Sequence, residues 1–402
     1  MSIKLNLYAP HIFISWAGFA RVGRMIALGL EDLGVQVNLV NITPSKYDGL
    51  ITKEEYSRLC SMARHSNSPD IWLSLAPGCA FLNRSKGWNI GMSMWETYTL
   101  PSFGQNCRNM DEIWVPSLFN WEVFKASGHV TEDHMSLIPL GVDTNVFTSG
   151  PRSISITDSS RTPFDFIYGT VCTYSDRKGL DIILTAHFEL FDAQDRVTLF
   201  IKGDPHGGRL LPRDLMSLQT GNLLLDFSDK PKDFIDTIRT KCRDHKPTVL
   251  YNFDWMGDTE LRSLYKALDL FVFPSRGEGF GLPPLEAMSC EVPVIGTKAT
   301  GMAEYMQEEV SYPVRSREPR VWSGCDHITN NYVGHLFADP DYEQYRDLVY
   351  HVYTNREEAK EKAKRARELV VKNYSYPIIL GRIKSRLEEV MEGKHTTENF
   401  LE

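Results

Sequence analysis

The chain has 402 residues, 42% of them hydrophobic and 24% charged, which is enough for two or three domains that each bury a core. Its net charge of −8 argues against broad non-specific nucleic-acid binding, which leaves room only for a local basic patch. The seven cysteines form no C-x-x-C pair, which excludes a disulfide framework and a zinc site and predicts reduced thiols in a cytoplasmic compartment. The opening "MSIKLNLYAPHIF" has no basic region followed by a long apolar segment and a cleavage site, so no signal peptide is predicted. No run approaches the roughly 20 apolar residues of a bilayer span, and any membrane contact is expected to be peripheral.

In chain order, short β-branched apolar runs predict strands at 3–9, 35–42, 70–76, 89–95, 112–117 and 134–141. Between the first two, "FARVGRMIALGLEDLG" repeats apolar residues at helical spacing and stops at Gly34, so strand, helix and strand make a βαβ unit and a parallel sheet. Residues 144–163 are polar, Ser/Thr-rich and carry two prolines, a linker by composition. Alternation then resumes, with strands at 164–173, 196–203, 248–254, 270–275 and 292–297 and a helix from Gly179 to Phe191. Asp258 is the expected N-cap of a further helix. Residues 355–374 read as a solvated helix with i,i+4 charge pairs, a membrane-surface helix being the other reading, and a last helix covers 377–391 before a frayed tail. The predicted domains are 1–150 and 164–375, with the helix of 376–402 packing back on the first.

Ligands of open α/β sheets bind beyond the carboxyl ends of the strands, and two such sheets can hold one in the cleft between them. The loop after "LFVF" reads "PSRGEGFGLPPLE". Gly279 and Gly281 let backbone approach a ligand, and Pro283 and Pro284 suit the first turn of a helix whose positive end faces an anion such as a diphosphate. Glu286, expected in that first turn, and Glu278 on the loop can each accept hydrogen bonds from a polyol, which together describes a nucleotide sugar. Taken singly, these residues read equally well as a helix cap and a tight turn; together they predict a ligand site.

The segment "FVFPSRGEGFGLPPLEAMSCEVPVIGT" resembles the E-x7-E region of the retaining glycosyltransferases called family four, of the GT-B fold. "LIPLGVDTNVF" is similar to the signature that closes the N-terminal domain of that family, "DRKGLDIILTAHFEL" to its lysine-glycine segment, and "WAGFARVGR" to its glycine loop. The resemblance implies an α/β GT-B architecture, two Rossmann-like domains whose parallel sheets face a central cleft. It implies that Glu286 holds the nucleotide ribose and that Glu278 lies near the donor sugar, with Gly279, Phe280, Gly281 and Leu282 around the sugar and phosphate. Lys178 matches the lysine that neutralises the diphosphate leaving group. The family's arginine five positions earlier is replaced by Thr173; Arg177 is either its substitute or a surface charge, and Lys202 is a weaker candidate.

On the acceptor side, Gly18 either lets the first turn approach the diphosphate or simply starts a helix. Trp95 and Glu96 stand where the family often has a histidine and an acidic residue. Glu96 either orients an acceptor hydroxyl or forms a salt bridge, and Trp95 or Tyr98 can stack on a sugar. The clear Asp-x-Asp match, Asp339–Asp341, is expected to be a turn and N-cap far from the cleft loops, so no metal is expected. No P-loop, H-E-x-x-H or G-x-S-x-G motif occurs. The implied activity is retaining, metal-independent transfer from a UDP- or GDP-sugar to a glycan or glycoconjugate hydroxyl, with no cofactor. The rival readings are an epimerase or phosphorylase on the same fold, and a non-catalytic carbohydrate-binding protein.

Overall fold

In the computed structural model the described residues are 3–13, 18–47, 49, 51–63, 69–84, 86–157, 162–204, 215–218, 223–226, 231–240, 247–252, 256–321 and 332–394. Trp16, Ala17, Phe253, Asp254 and the tail from 395 lie outside them, as do two of the cysteines, Cys242 and Cys325. The chain divides into two compact units. One comprises Met1–Trp95, Thr99–Asp143 and Lys372–Glu402; the other comprises Glu96–Tyr98 and Thr144–Val371.

The first unit runs β1 (Lys4–Tyr8), α1 (Gly18–Asp32), β2 (Gln36–Leu39), α2 (Lys53–Met62), β3 (Ile71–Leu75), β4 (Trp88–Met92), β5 (Glu112–Val115), α3 (Leu118–Ala126) and β6 (Met135–Leu137). Its sheet has the order β2-β1-β3-β4-β5-β6, and every pairing is parallel. Sheets of this kind are covered on both faces, which is why the strands are near-continuous apolar runs rather than alternating ones. Leu5 and Leu7, Ile71 and Leu73, Ile90 and Met92 are all buried. Helix α1 turns Val22, Met25, Ile26 and Leu30 inward and ends where Gly34 takes a positive φ of 83°.

The second unit begins with β7 (Phe166–Thr173), α4 (Leu180–Leu190), β8 (Val197–Asp204), the antiparallel pair β9 (Leu215–Leu218) and β10 (Leu223–Asp226), α5 (Pro231–Thr240) and β11 (Thr248–Asn252). It continues through α6 (Asp258–Ala267), β12 (Leu270–Phe273), α7 (Leu282–Ser289), β13 (Val294–Thr297) and β14 (Tyr312–Val314). The antiparallel hairpin β15 (Ser316–Val321) and β16 (Leu336–Pro340) follows, then α8 (Tyr342–Thr354) and α9 (Arg356–Asn373). Its main sheet has the order β11-β8-β7-β12-β13-β14. Numbered by their own sequence, those six parallel strands stand 3-2-1-4-5-6, the Rossmann order, with the topological switch between β7 and β12. The last helix, α10 (Tyr376–Met391), belongs to the first unit, where Leu380 lies against Gly29 of α1.

Five local expectations are corrected. Gly257, not Asp258, is the N-cap of α6: its N–H donates to Glu260 Oε2 at 2.8 Å, and Asp258 is the first helical residue. Helix α7 starts at Leu282 after the left-handed Gly281, so Glu286 falls in the second turn rather than the first. Asp339 lies in β16 rather than in a turn, paired with Arg320 at 2.7 Å, while Asp341 caps α8. Nor is that segment far from the loop after β12, because the Ala338 N–H donates to the Arg276 carbonyl at 2.9 Å. On α9 the pairs Lys360–Glu357 and Lys364–Glu361 are spaced i,i+3, with Lys362–Glu358 at i,i+4.

His187 on α4 is fully buried, its Nδ1 2.8 Å from the Tyr168 hydroxyl and its Nε2 3.0 Å from the Thr248 carbonyl. Burial pushes its imidazole down to about 3, from an ordinary 6.5. The fold therefore excludes a proton that the unfolded chain accepts. Stability should be unaffected above the ordinary value and fall by about 1.4 kcal/mol per pH unit as pH drops below it. Unfolding free energies of the wild type and His187→Gln between neutral and mildly acidic pH check this; parallel pH profiles would acquit His187.

Candidate functional site

The loops that leave the carboxyl ends of β7 and β12 flank the switch point of the second unit, and Lys178, Arg177, Glu278 and Glu96 meet there. After β7 the chain makes one short 3-10 turn, Asp176–Lys178, then enters α4 through Gly179. Gly179 has a φ of 71°, and a Cβ there would stand 2.3 Å from the Pro274 carbonyl oxygen, so only glycine lets the two loops touch. The contact is sealed by the Arg276 N–H, which donates to the Arg177 carbonyl at 2.7 Å.

Glu278 is the centre of the cluster. Its Oε1 accepts from Lys178 Nζ at 2.6 Å, from Arg177 Nη1 at 3.0 Å and from Ser275 Oγ at 2.6 Å. Its backbone is held as firmly: the Glu278 N–H donates to Thr300 Oγ1 at 3.1 Å, and its carbonyl accepts from the Gly301 N–H at 2.9 Å. Burial by itself would raise the Glu278 carboxyl, but Lys178 and Arg177 outweigh it and hold it below the ordinary carboxylate range. The Lys178 ammonium is pushed below its ordinary value by burial and by Arg177, with Glu278 opposing. That ammonium also stands 5.1 Å from the centre of the Phe273 ring. Arg177 is therefore no isolated surface charge: it shares Glu278 with Lys178 and also donates to the Gly277 carbonyl.

Glu96 joins the same cluster. Its Oε1 is 3.9 Å from Arg177 Nη2, and its Oε2 accepts from the Tyr332 hydroxyl at 3.0 Å. The backbone of Glu96 presses on the loop after β12, since a Cβ on Gly277 would lie 2.4 Å from its carbonyl oxygen. Burial raises the Glu96 carboxyl above its ordinary value against the pull of Arg177. The salt-bridge reading of Glu96 is thus the one its surroundings display. Tyr98 is tied nearby through its N–H to the Leu336 carbonyl at 3.1 Å. Trp95 is buried in the first unit, its N–H and carbonyl both bonded to the Asn120 amide.

The remaining candidates lie outside this cluster of charges. Glu286, on α7, is 2% exposed and accepts from the Tyr265 hydroxyl at 2.8 Å. Phe280 is buried against Tyr305, whose hydroxyl donates to the carbonyls of Phe280 and Gly281. Pro283 and Pro284 fall in the first turn of α7, so that helix end keeps its dipole but lacks two N–H donors. Lys202, in β8, donates from its ammonium to the Gly203 carbonyl at 2.5 Å. Gly18 opens α1 in the first unit.

Sequence reasoning missed Ser275, Arg276, Asp181, Thr300 and Tyr332. Ser275 and Arg276 stood inside the quoted loop but matched no residue type with an assigned task. Thr300 carries a backbone signal instead: it is β-branched yet has a φ of 52°, strain of the kind kept where a side chain must be held in place.

The family model described as "Glycosyl transferases group 1" matches residues 166–322. A D-inositol 3-phosphate glycosyltransferase of Segniliparus rotundus is 27% identical over 71% of this chain and 66% of its own length. The serotype-specific mannosyltransferase WbdA of Escherichia coli is 35% identical over 25% of this chain and 12% of its own. The matched stretches thus cover less than two thirds of these relatives. Among solved structures, HepE of Anabaena in complex with UDP-glucose superposes with a TM-score of 0.65 at 16% identity, over 96% of this chain and 100% of that one. Sucrose-phosphate synthase from Thermosynechococcus elongatus gives 0.65 at 15% identity, over 97% and 100%. These likenesses bear out the GT-B fold. Among the described residues, no helix is long and apolar enough to cross a membrane.

Proposed function

We propose that the chain, whose residues 166–322 match the group 1 glycosyltransferase model, transfers a sugar from a nucleotide-diphosphate donor to a hydroxyl of a glycan or glycoconjugate, with retention and without a metal ion. The observation that carries this reading is the convergence of Lys178 and Arg177 on Glu278, next to the N-terminus of the helix that bears Glu286. The two cations face the donor diphosphate and stabilise the charge that grows on it as the bond from the anomeric carbon to the phosphate oxygen breaks. Arg177 supplies the charge for which Thr173 has no group. Glu278 accepts hydrogen bonds from the donor sugar and Glu286 from the ribose. The acceptor oxygen bonds to the anomeric carbon on the face the phosphate leaves, and its proton passes to a phosphate oxygen of the departing nucleotide. That HepE was solved with UDP-glucose supports a nucleotide sugar as the donor class.

A panel of UDP- and GDP-sugars in thermal-shift measurements tests the reading. A true donor at a hundredfold excess over its dissociation constant should stabilise the fold by about 2.7 kcal/mol. Glu286→Ala should remove most of that shift. A panel in which no nucleotide sugar or nucleoside diphosphate raises the melting midpoint would defeat the proposal, and an unaltered shift in Glu286→Ala would take the ribose role from Glu286.

A further inference from the structure

Arg276 and Asp181 form an ion pair with side-chain exposures of 2% and 1%. The guanidinium meets the carboxylate as a fork, Nη1 to Oδ1 at 2.8 Å and Nη2 to Oδ2 at 2.5 Å. Nη1 also donates to the Asp176 carbonyl at 2.6 Å. The backbone of Arg276 adds two bonds, its N–H to the Arg177 carbonyl at 2.7 Å and its carbonyl from the Ala338 N–H at 2.9 Å. One residue thereby holds the turn after β7 at Asp176 and Arg177, the first turn of α4 at Asp181, and strand β16. Lys178 lies between the points it fixes on one loop, and Glu278 follows two residues later on the other.

A buried ion pair is a poor way to gain stability, because desolvation of both groups offsets their attraction and an apolar pair of similar volume often does as well. What the fork supplies is geometry: two parallel bonds fix distance and orientation together. Misplacement of a reacting group by about 1 Å can cost about a hundredfold in rate. We propose that Arg276 is a positioning residue that acts through Asp181 and the Asp176 carbonyl to set the spacing between Lys178, Arg177 and Glu278. The inference rests on the donor-binding reading of those three groups.

The test is the double variant Arg276→Met/Asp181→Leu, which removes both charges and keeps apolar volume. Melting midpoints are measured beside affinities for UDP, GDP, uridine and guanosine. The expected result is a midpoint within a few degrees of the wild type, unchanged nucleoside affinity, and nucleoside diphosphate affinity lower by about tenfold or more, the loss of one aligned charge-assisted hydrogen bond. An unchanged ratio of diphosphate to nucleoside affinity would make the pair merely structural and overturn the proposal. Should the double variant not fold, Arg276→Lys, which keeps the charge but not the fork, is read by the same ratio. If the wild type itself holds neither UDP nor GDP more tightly than the nucleoside, the donor reading falls and takes this one with it.

Discussion

Lys178→Ala should slow transfer by about 10²–10³-fold while the protein still folds, the loss typical when one group aimed at developing charge is removed. The expectation comes from where the ammonium sits and from what remains after it is gone. Its side chain is 8% exposed, so its charge acts across little solvent, and it reaches Glu278 at 2.6 Å beside Arg177 at 3.0 Å. Truncation leaves Glu278 with Arg177 and the Ser275 hydroxyl at 2.6 Å, so the buried carboxylate is not orphaned and the stability loss should be about 1–2 kcal/mol. Rate and fold are therefore separable at this position. Single-turnover transfer with a UDP- or GDP-sugar, measured beside the melting midpoint, decides it. Turnover near that of the wild type would remove Lys178 from the diphosphate, whereas a rate that fell only in step with the folded fraction would make its role structural. Lys178→Arg should recover part of the loss at most, because the planar guanidinium does not fit a site shaped around a compact ammonium.

Much of this site could be read from residue order because its parts are local in sequence. Gly279, Gly281, Glu278 and Glu286 lie within one loop and helix, and Lys178 adjoins a glycine that must be left-handed. The parallel strands were equally legible, since strands buried on both faces are written as unbroken apolar runs such as "LFVF". The hairpin β15–β16 carries the opposite signal: "SREPRV" is charged, contains a proline, and is mostly exposed, so neither alternation nor hydrophobicity marks it. The partnership of Arg276 with Asp181 joins a loop after β12 to the first turn of α4, which only the sheet order brings together, and no spacing rule connects them. Arg177 shows the same limit. Its charge was visible, but the direction of its side chain was decided by the contact between the loops after β7 and β12.

Arg386→Ala should destabilise the first unit by about 3–5 kcal/mol, the cost of leaving one partner of a buried ion pair alone. Glu112, the first residue of β5, is 1% exposed, so bulk water is not available to solvate its carboxylate. Arg386 on α10 answers it with Nε to Oε1 at 2.9 Å and Nη2 to Oε2 at 3.0 Å, while Trp114 Nε1 at 2.8 Å and the Ser136 hydroxyl complete the shell. The third guanidinium nitrogen is spent on Glu389 Oε2 at 2.8 Å and the Lys394 carbonyl at 3.2 Å. A helix that follows the whole second unit in sequence is thus part of the electrostatic core of the first. Removing the guanidinium leaves a buried charge with two neutral donors, which cannot replace a bidentate cation. If that charge is the source of the cost, Arg386→Ala/Glu112→Gln should be more stable than Arg386→Ala alone, because the amide keeps much of the hydrogen bonding without the charge. Denaturant titrations of the wild type and both variants, with nucleotide affinity measured alongside, separate the cases. A double variant less stable than the single one would place the cost in lost packing of the arginine stem and not in the orphaned carboxylate. Nucleotide affinity in the folded fraction should not move, since Lys178, Arg177, Glu278 and Glu286 all lie in the second unit.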